Sequence, residues 1–76
     1  MAGMMRRIRE LLLAQPFVPF TVLTSGGKQY RVPTPDHASI DPRGTQVAVW
    51  FDNGGMVILS ALHLVGVERD SETAQA

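Results

Sequence analysis

The chain contains no cysteine, which removes disulfides, thiolate metal ligands and a cysteine nucleophile together. That absence suits a reducing cytoplasm. Charge of one sign is also lacking: seven basic and seven acidic side chains cancel, so no global field draws the protein to nucleic acid or to an anionic membrane. The charges are unevenly spread, with Arg6, Arg7 and Arg9 near the start and Glu68, Asp70 and Glu72 near the end. Long hydrophobic runs are missing as well. Nothing approaches the roughly 20 apolar residues of a membrane span. The opening "MAGMMRRIRELLLAQPF" carries charge to Glu10, leaves only Leu11 to Ala14 apolar and stops at Pro16. A signal peptide needs a longer apolar core and a small-residue cleavage site. The expectation is a soluble, cytoplasmic protein with no membrane partner.

What is present is apolar: 45% of 76 residues, against 18% charged. That composition favours one folded domain over a disordered segment, with a core that is marginal unless well packed or shared with a partner. Residues 5 to 15 read as a helix with Ile8, Leu11 and Leu12 as its stripe, Leu13 widening the apolar arc, and Pro16 as its stop. The prolines of "PFVPF" then force an extended path, with Phe17 and Phe20 as plugs for one end of a core.

"FTVLTSGGKQYRV" alternates and turns at Ser25-Gly26-Gly27, the pattern of a β-hairpin. Pro33 and Pro35 interrupt the next stretch, which leaves a short strand over His37 to Ile40 and a turn at Asp41-Pro42-Arg43-Gly44. "TQVAVWF" and "MVILS" form a second hairpin around "DNGG", with Asn53-Gly54 expected as the left-handed pair. Val47, Val49 and Phe51 make an inward row, and Ala48 and Trp50 an outward row that is also apolar. "SALHL" fits a single 3₁₀ turn, and "VGVE" a last strand with Val65 and Val67 inward. The expected division is a disordered start at 1–4, one domain at 5–68 and a polar tail at 69–76.

Such short strands are too few for a sandwich. A mainly β fold with one N-terminal helix follows, as a small, strongly bent antiparallel barrel of the SH3-like or Sm-like kind. The order helix, "VLTSGGKQYRV", variable strand, "VAVWF" hairpin and "ILSALHLVGV" resembles the layout of Sm-like proteins. That resemblance implies ring assembly and RNA binding through loops near the first turn and the last strands. The family's Asn-rich loop and closing polar motif have no counterpart here beyond a loose echo in Leu62-His63. The segments "LLLAQPFVPF", "TSGGKQYRVPTPDHASIDP" and "VAVWFDNGGMVILSALHLVGVE" also resemble a set of small bacterial proteins with no assigned activity. They share a PFxPF … VPxP … GG hairpin pattern. This second likeness implies the domain boundaries and supplies no chemistry.

Catalytic and metal-binding patterns are weak. Asp36, His37, Asp41, Asp52 and His63 form no zinc-ligand motif. Ser25, Ser39, Ser60 and Ser71 have no base and orienting group in sequence context. The glycine pairs at 26–27 and 54–55 lack the Lys-Ser/Thr ending of a phosphate loop and sit between alternating runs. No catalytic residue, metal or cofactor is therefore expected. Arg6, Arg7, Arg9, Lys28 and Arg31 are the candidate nucleic-acid contacts, with Tyr30 and Trp50 as stacking surface. Leu13, Leu23, Trp50 and Met56 are the candidate interface residues, because tryptophan and methionine favour interface centres. The leading expectation is a non-catalytic small barrel that homo-oligomerises or docks on another protein. An Sm-like RNA or nucleic-acid binder is the alternative.

Overall fold

Helix α1 (Gly3–Leu13) opens the computed structural model, which describes residues 3–70. Six strands follow: β1 (Phe20–Thr24), β2 (Gln29–Val32), β3 (Ala38–Ile40), β4 (Gln46–Trp50), β5 (Met56–Ser60) and β6 (Leu64–Arg69). Single 3₁₀ turns at Pro35–His37 and Ala61–His63 lead into β3 and β6. Each is capped by a side-chain oxygen, Thr34 accepting from the Asp36 N–H and Ser60 from the Leu62 N–H.

The helix is shifted toward the N-terminus relative to the expected 5–15. Its buried stripe is Met5, Ile8 and Leu11, at i, i+3 and i+6. Residues 3 and 4, expected in a disordered start, are helical, and Met4 packs against the core. The helix stops at Leu13 because Gln15 precedes a proline and is disfavoured there. Residues 1 and 2 lie outside the described part.

The strands form two three-stranded antiparallel sheets, ordered β2-β1-β6 and β3-β4-β5. No ladder that would join them into a closed barrel is found among the described residues. The two sheets share one core with the helix. Phe20, Val22, Val32 and Leu64 come from the first sheet, Ala38, Val47, Val49 and Leu59 from the second, and Met5, Ile8 and Leu11 from α1. The helix packs on β6 and β3 and so touches both sheets. Phe20, Ile8, Val22, Val32, Val47 and Val49 are fully buried, each contributing about 1.5–3 kcal/mol through removal from water.

Four further expectations are corrected by the structure. Val65 is not inward. Leu23 pairs with Gly66 and Thr24 with Leu64, which leaves Val65 as an unpaired bulge residue. The bulge shifts the alternation by one place, so Leu64 is buried while Val65 is 60% exposed. Phe51 lies past the end of β4, 37% exposed, rather than inside with Val49. In the second hairpin only Gly54 is left-handed, at φ 96°, and Asn53 is not. The Asn53 side chain instead accepts the Gly55 N–H at 2.9 Å. The polar tail also starts later than expected. β6 runs to Arg69, and the Asp70 N–H donates to the Pro19 carbonyl at 2.9 Å. Residues 71–76, the rest of that tail with Ser71 and Glu72, lie outside the described part. Among the described residues no helix is long and apolar enough to cross a membrane.

Candidate interaction surface

Alternation along β4 and β5 sends one row of side chains into the core and the other outward. The inward row is Val47 and Val49 on β4, with Val57 and Leu59 on β5. The outward row is apolar at its centre. Ala48 stands directly opposite Ile58, and Trp50 directly opposite Met56. Trp50 is 40% exposed, Met56 44% and Ile58 59%. Gln46, Ser60 and Ser39 form the polar rim of the same face. A shallow groove of ≈ 310 Å³ continues the surface from Ile58, Ala48 and Trp50 to Ile40 at the end of β3 and to Asp41 and Pro42 after it.

The expected interface residues divide accordingly. Trp50 and Met56 come together as cross-strand neighbours. Leu13 is 71% exposed at the end of α1, beside a separate groove that shares only Ser39 and Ile40 with the first. Leu23 lies apart on the outward row of β1, half-buried, with Cδ1 3.4 Å from where a Cβ on Gly66 would stand. Ile58 belongs to the surface and was not singled out by sequence reasoning. The signal was available, since "MVILS" is apolar on both rows just as "VAVWF" is.

The five candidate nucleic-acid contacts are spread over three elements. Arg6, Arg7 and Arg9 are exposed on α1, and Arg7 meets Glu10 at 3.5 Å. Lys28 is exposed beside the β1–β2 turn. Arg31 on β2 is clamped by Asp70, with Nη1 donating to Oδ1 at 2.9 Å and Nη2 to Oδ2. The hydrogen bonds from Arg31 hold the Asp70 carboxyl below its ordinary range, and the same pairing raises the Arg31 guanidinium. Two of the five cations therefore already have carboxylate partners.

One cluster has the outline of catalytic machinery. His37 Nδ1 lies 2.8 Å from Thr34 Oγ1, and its Nε2 lies 2.8 Å from Asp52 Oδ1. A hydroxyl, an imidazole and a carboxylate in that order match a nucleophile, base and orienting acid. The hydroxyl oxygen, however, already accepts the Asp36 N–H and caps the Pro35–His37 turn. Asp52 is almost fully solvated, where a carboxylate orients an imidazole weakly. The cluster ties the turn before β3 to the turn after β4. Beside it, Tyr30 stacks on Phe51 with ring centroids 6.1 Å apart and planes 13° apart. These rings, with Arg31, Pro33 and Trp50, border an open cleft of ≈ 490 Å³.

Asp41 has a structural part. Its carboxylate accepts the N–H groups of Gln46 at 2.9 Å and Thr45 at 2.7 Å, and the Thr45 hydroxyl at 2.8 Å. These bonds, led by that from Gln46, hold its carboxyl below the ordinary range. They fix the turn in which Gly44 takes φ 71°. His63 is exposed, and its carbonyl accepts the Ser25 N–H at 2.8 Å. Among the described residues no group of three or more His, Cys, Asp or Glu side chains converges as a metal site would require. No protein-family model, curated protein or solved structure matches the chain.

Proposed function

We propose that this protein is a non-catalytic interaction module that self-associates through the outward face of β4 and β5. The observation that carries the reading is the adjacent pairing of Trp50 with Met56 and Ala48 with Ile58 on a face that α1 does not cover. A second copy is the occupant the face suits best. A two-fold axis sets a surface against itself, and the outward row of β4 and β5 bears no charge that would meet its like, Asp41 lying at its border beyond Gln46. The two sheets are read as halves of an SH3-like or Sm-like barrel, supported by their common core and by the helix that spans both. The cysteine-free composition supports reading the module as cytoplasmic.

Size sets the strength. Trp50, Met56 and Ile58 together offer on the order of 300 Å² of apolar surface, the size of an ordinary monomer's largest patch. A standard interface removes roughly 800 Å² from each partner. Face packing alone therefore gives a weak, concentration-dependent dimer. Nucleic-acid binding ranks second, because Arg7 and Arg31 already have carboxylate partners.

Trp50 is the only tryptophan in the chain, so its fluorescence reports on this face without labelling. Raising the protein concentration is expected to shift Trp50 emission to shorter wavelength and to shield it from iodide. Emission and quenching that stay constant over the whole accessible range would remove the reading of self-association through this face.

A further inference from the structure

The face of β4 and β5 is not the whole of what the second sheet leaves open, because β5 is also a sheet edge. Among the described residues there are four edge strands: β2 and β6 in one sheet, β3 and β5 in the other. Three of them carry features that discourage pairing with another chain. β3 has three residues and lies between Pro35 and Pro42. β2 carries Arg31 and stops at Pro33. β6 is bulged at Val65 and ends in Glu68 and Arg69. β5, Met56–Ser60, has no charge, no proline, no glycine and no bulge.

The ladder between β4 and β5 decides which main-chain groups that edge presents. The Phe51 N–H donates to the Gly55 carbonyl at 2.7 Å, and the Ala61 N–H to the Thr45 carbonyl at 2.8 Å. In an antiparallel pair, hydrogen-bonded and non-hydrogen-bonded positions alternate. Val57 and Leu59 accordingly bond to Val49 and Val47, and Met56, Ile58 and Ser60 turn their N–H and C=O groups away from β4. The β3 side agrees independently. The Asp41 N–H donates to the Gln46 carbonyl at 3.1 Å, which turns Gln46, Ala48 and Trp50 toward β3 and leaves Val47 and Val49 for β5.

We propose that β5 pairs with β5 of a second copy, antiparallel about a two-fold axis at Ile58, to make one continuous six-stranded sheet. In that register Ile58 exchanges both main-chain hydrogen bonds with Ile58 of the partner subunit. Met56 and Ser60 do the same with their opposite numbers. The outward groups at 56, 58 and 60 are those an axis at 58 requires. An axis at Val57 or Leu59 would put that residue in a non-hydrogen-bonded pair and leave two hydrogen-bonded pairs within β5, where the axis at Ile58 gives three. Charge permits it too: a two-fold axis brings a central residue against its own copy, and residues 53–62 contain no charged side chain. The edge borders a groove of ≈ 330 Å³ whose far wall includes Thr24, Lys28 and Tyr30. This pairing shares with the proposed function only the claim that the chain self-associates. It supplies main-chain contact and area that the apolar face alone lacks.

Sedimentation equilibrium on the full chain separates the two. Ile58→Ala trims the face but keeps the edge N–H, whereas Ile58→Pro removes the N–H that β4 does not use. Ile58→Pro is expected to associate at least about ten-fold more weakly than Ile58→Ala, from two lost reciprocal hydrogen bonds. Ser60→Pro leaves the apolar face intact at a residue whose φ is already −74°. It is expected to weaken association while the circular dichroism spectrum is retained. Equal association of Ile58→Pro and Ile58→Ala would overturn edge pairing. If Ile58→Pro fails to fold, unchanged association of Ser60→Pro overturns it instead. Trp50→Ser reads the face alone. Loss of association in Trp50→Ser with none in the proline variants would keep the face and remove the edge, and the converse would keep the edge and remove the face.

Discussion

Asp41 is the residue whose polar bonds matter most to local structure. Its three accepted hydrogen bonds favour the ionised form and lower its pKa. Because the folded value lies below the unfolded one, the stabilisation is complete above the ordinary carboxylate pKa of about 4. It is lost as pH falls from there through the lowered value. Asp70, lowered by Arg31, acts in the same direction. The melting temperature of the wild-type chain should therefore fall on acidification below about pH 4. Asp41→Ala should melt lower at neutral pH and lose part of that acid dependence. An identical acid slope in wild type and variant would show that the bonds to Gln46 and Thr45 contribute nothing. Glycines give a second comparison at this scale. Gly54 sits at φ 96°, so Gly54→Ala should cost about 1–2 kcal/mol in urea denaturation. Gly26 has ordinary φ and open space around a Cβ, and Gly26→Ala should stay within about 0.5 kcal/mol. Equal effects at both positions would contradict the turn geometry.

Among the elements, local periodicity carried most of the information. The first hairpin, the short strand before Asp41, the β4–β5 hairpin and the 3₁₀ turn at Ala61–His63 are all legible in alternation and turn chemistry. What failed depended on pairing between elements. The phase of β6 is set by a bulge against β1, whose only local sign is Gly66 inside an apolar run. Phe51 falls outside the core because β4 ends one residue earlier, where Tyr30 rather than the interior meets its ring. The link between His37 and Asp52 joins turns 15 residues apart, and only the β3–β4 register brings them together. Trp50 and Met56 were legible as surplus apolar residues, with Leu13 and Leu23, but their pairing follows only from the β4–β5 register. Ile58 was legible in the both-rows apolar pattern of "MVILS" and was passed over. Two phenylalanines test the division between core and surface. Phe20 is fully buried, and Phe20→Ala should cost about 3–5 kcal/mol. Phe51→Ala removes only a stacked, partly exposed ring and should cost about 0.5–1.5 kcal/mol. Reversal of that order in denaturant melts would mean that the β4 row has been placed on the wrong side.

For the whole molecule, the shape of the problem is a small core divided between two three-stranded sheets and one helix. A chain of this length buries a modest fraction of its surface, and it leaves Trp50, Met56 and Ile58 uncovered on the uncharged outward row of β4 and β5. Self-association is the physical answer proposed for that remainder, with the free edge of β5 as its extension. Trp50 is 40% exposed and pairs across the strands with Met56, so Trp50→Ser should cost the monomer about 1–2 kcal/mol. Its effect on assembly is read under conditions where both chains are folded. The most direct test is sedimentation equilibrium of wild type beside Trp50→Ser over a wide concentration range. The account predicts a wild-type mass that rises from one chain toward two or four, and weaker association in the variant. A wild-type chain that stays monomeric at every concentration, or a variant that associates as well as wild type, would contradict it.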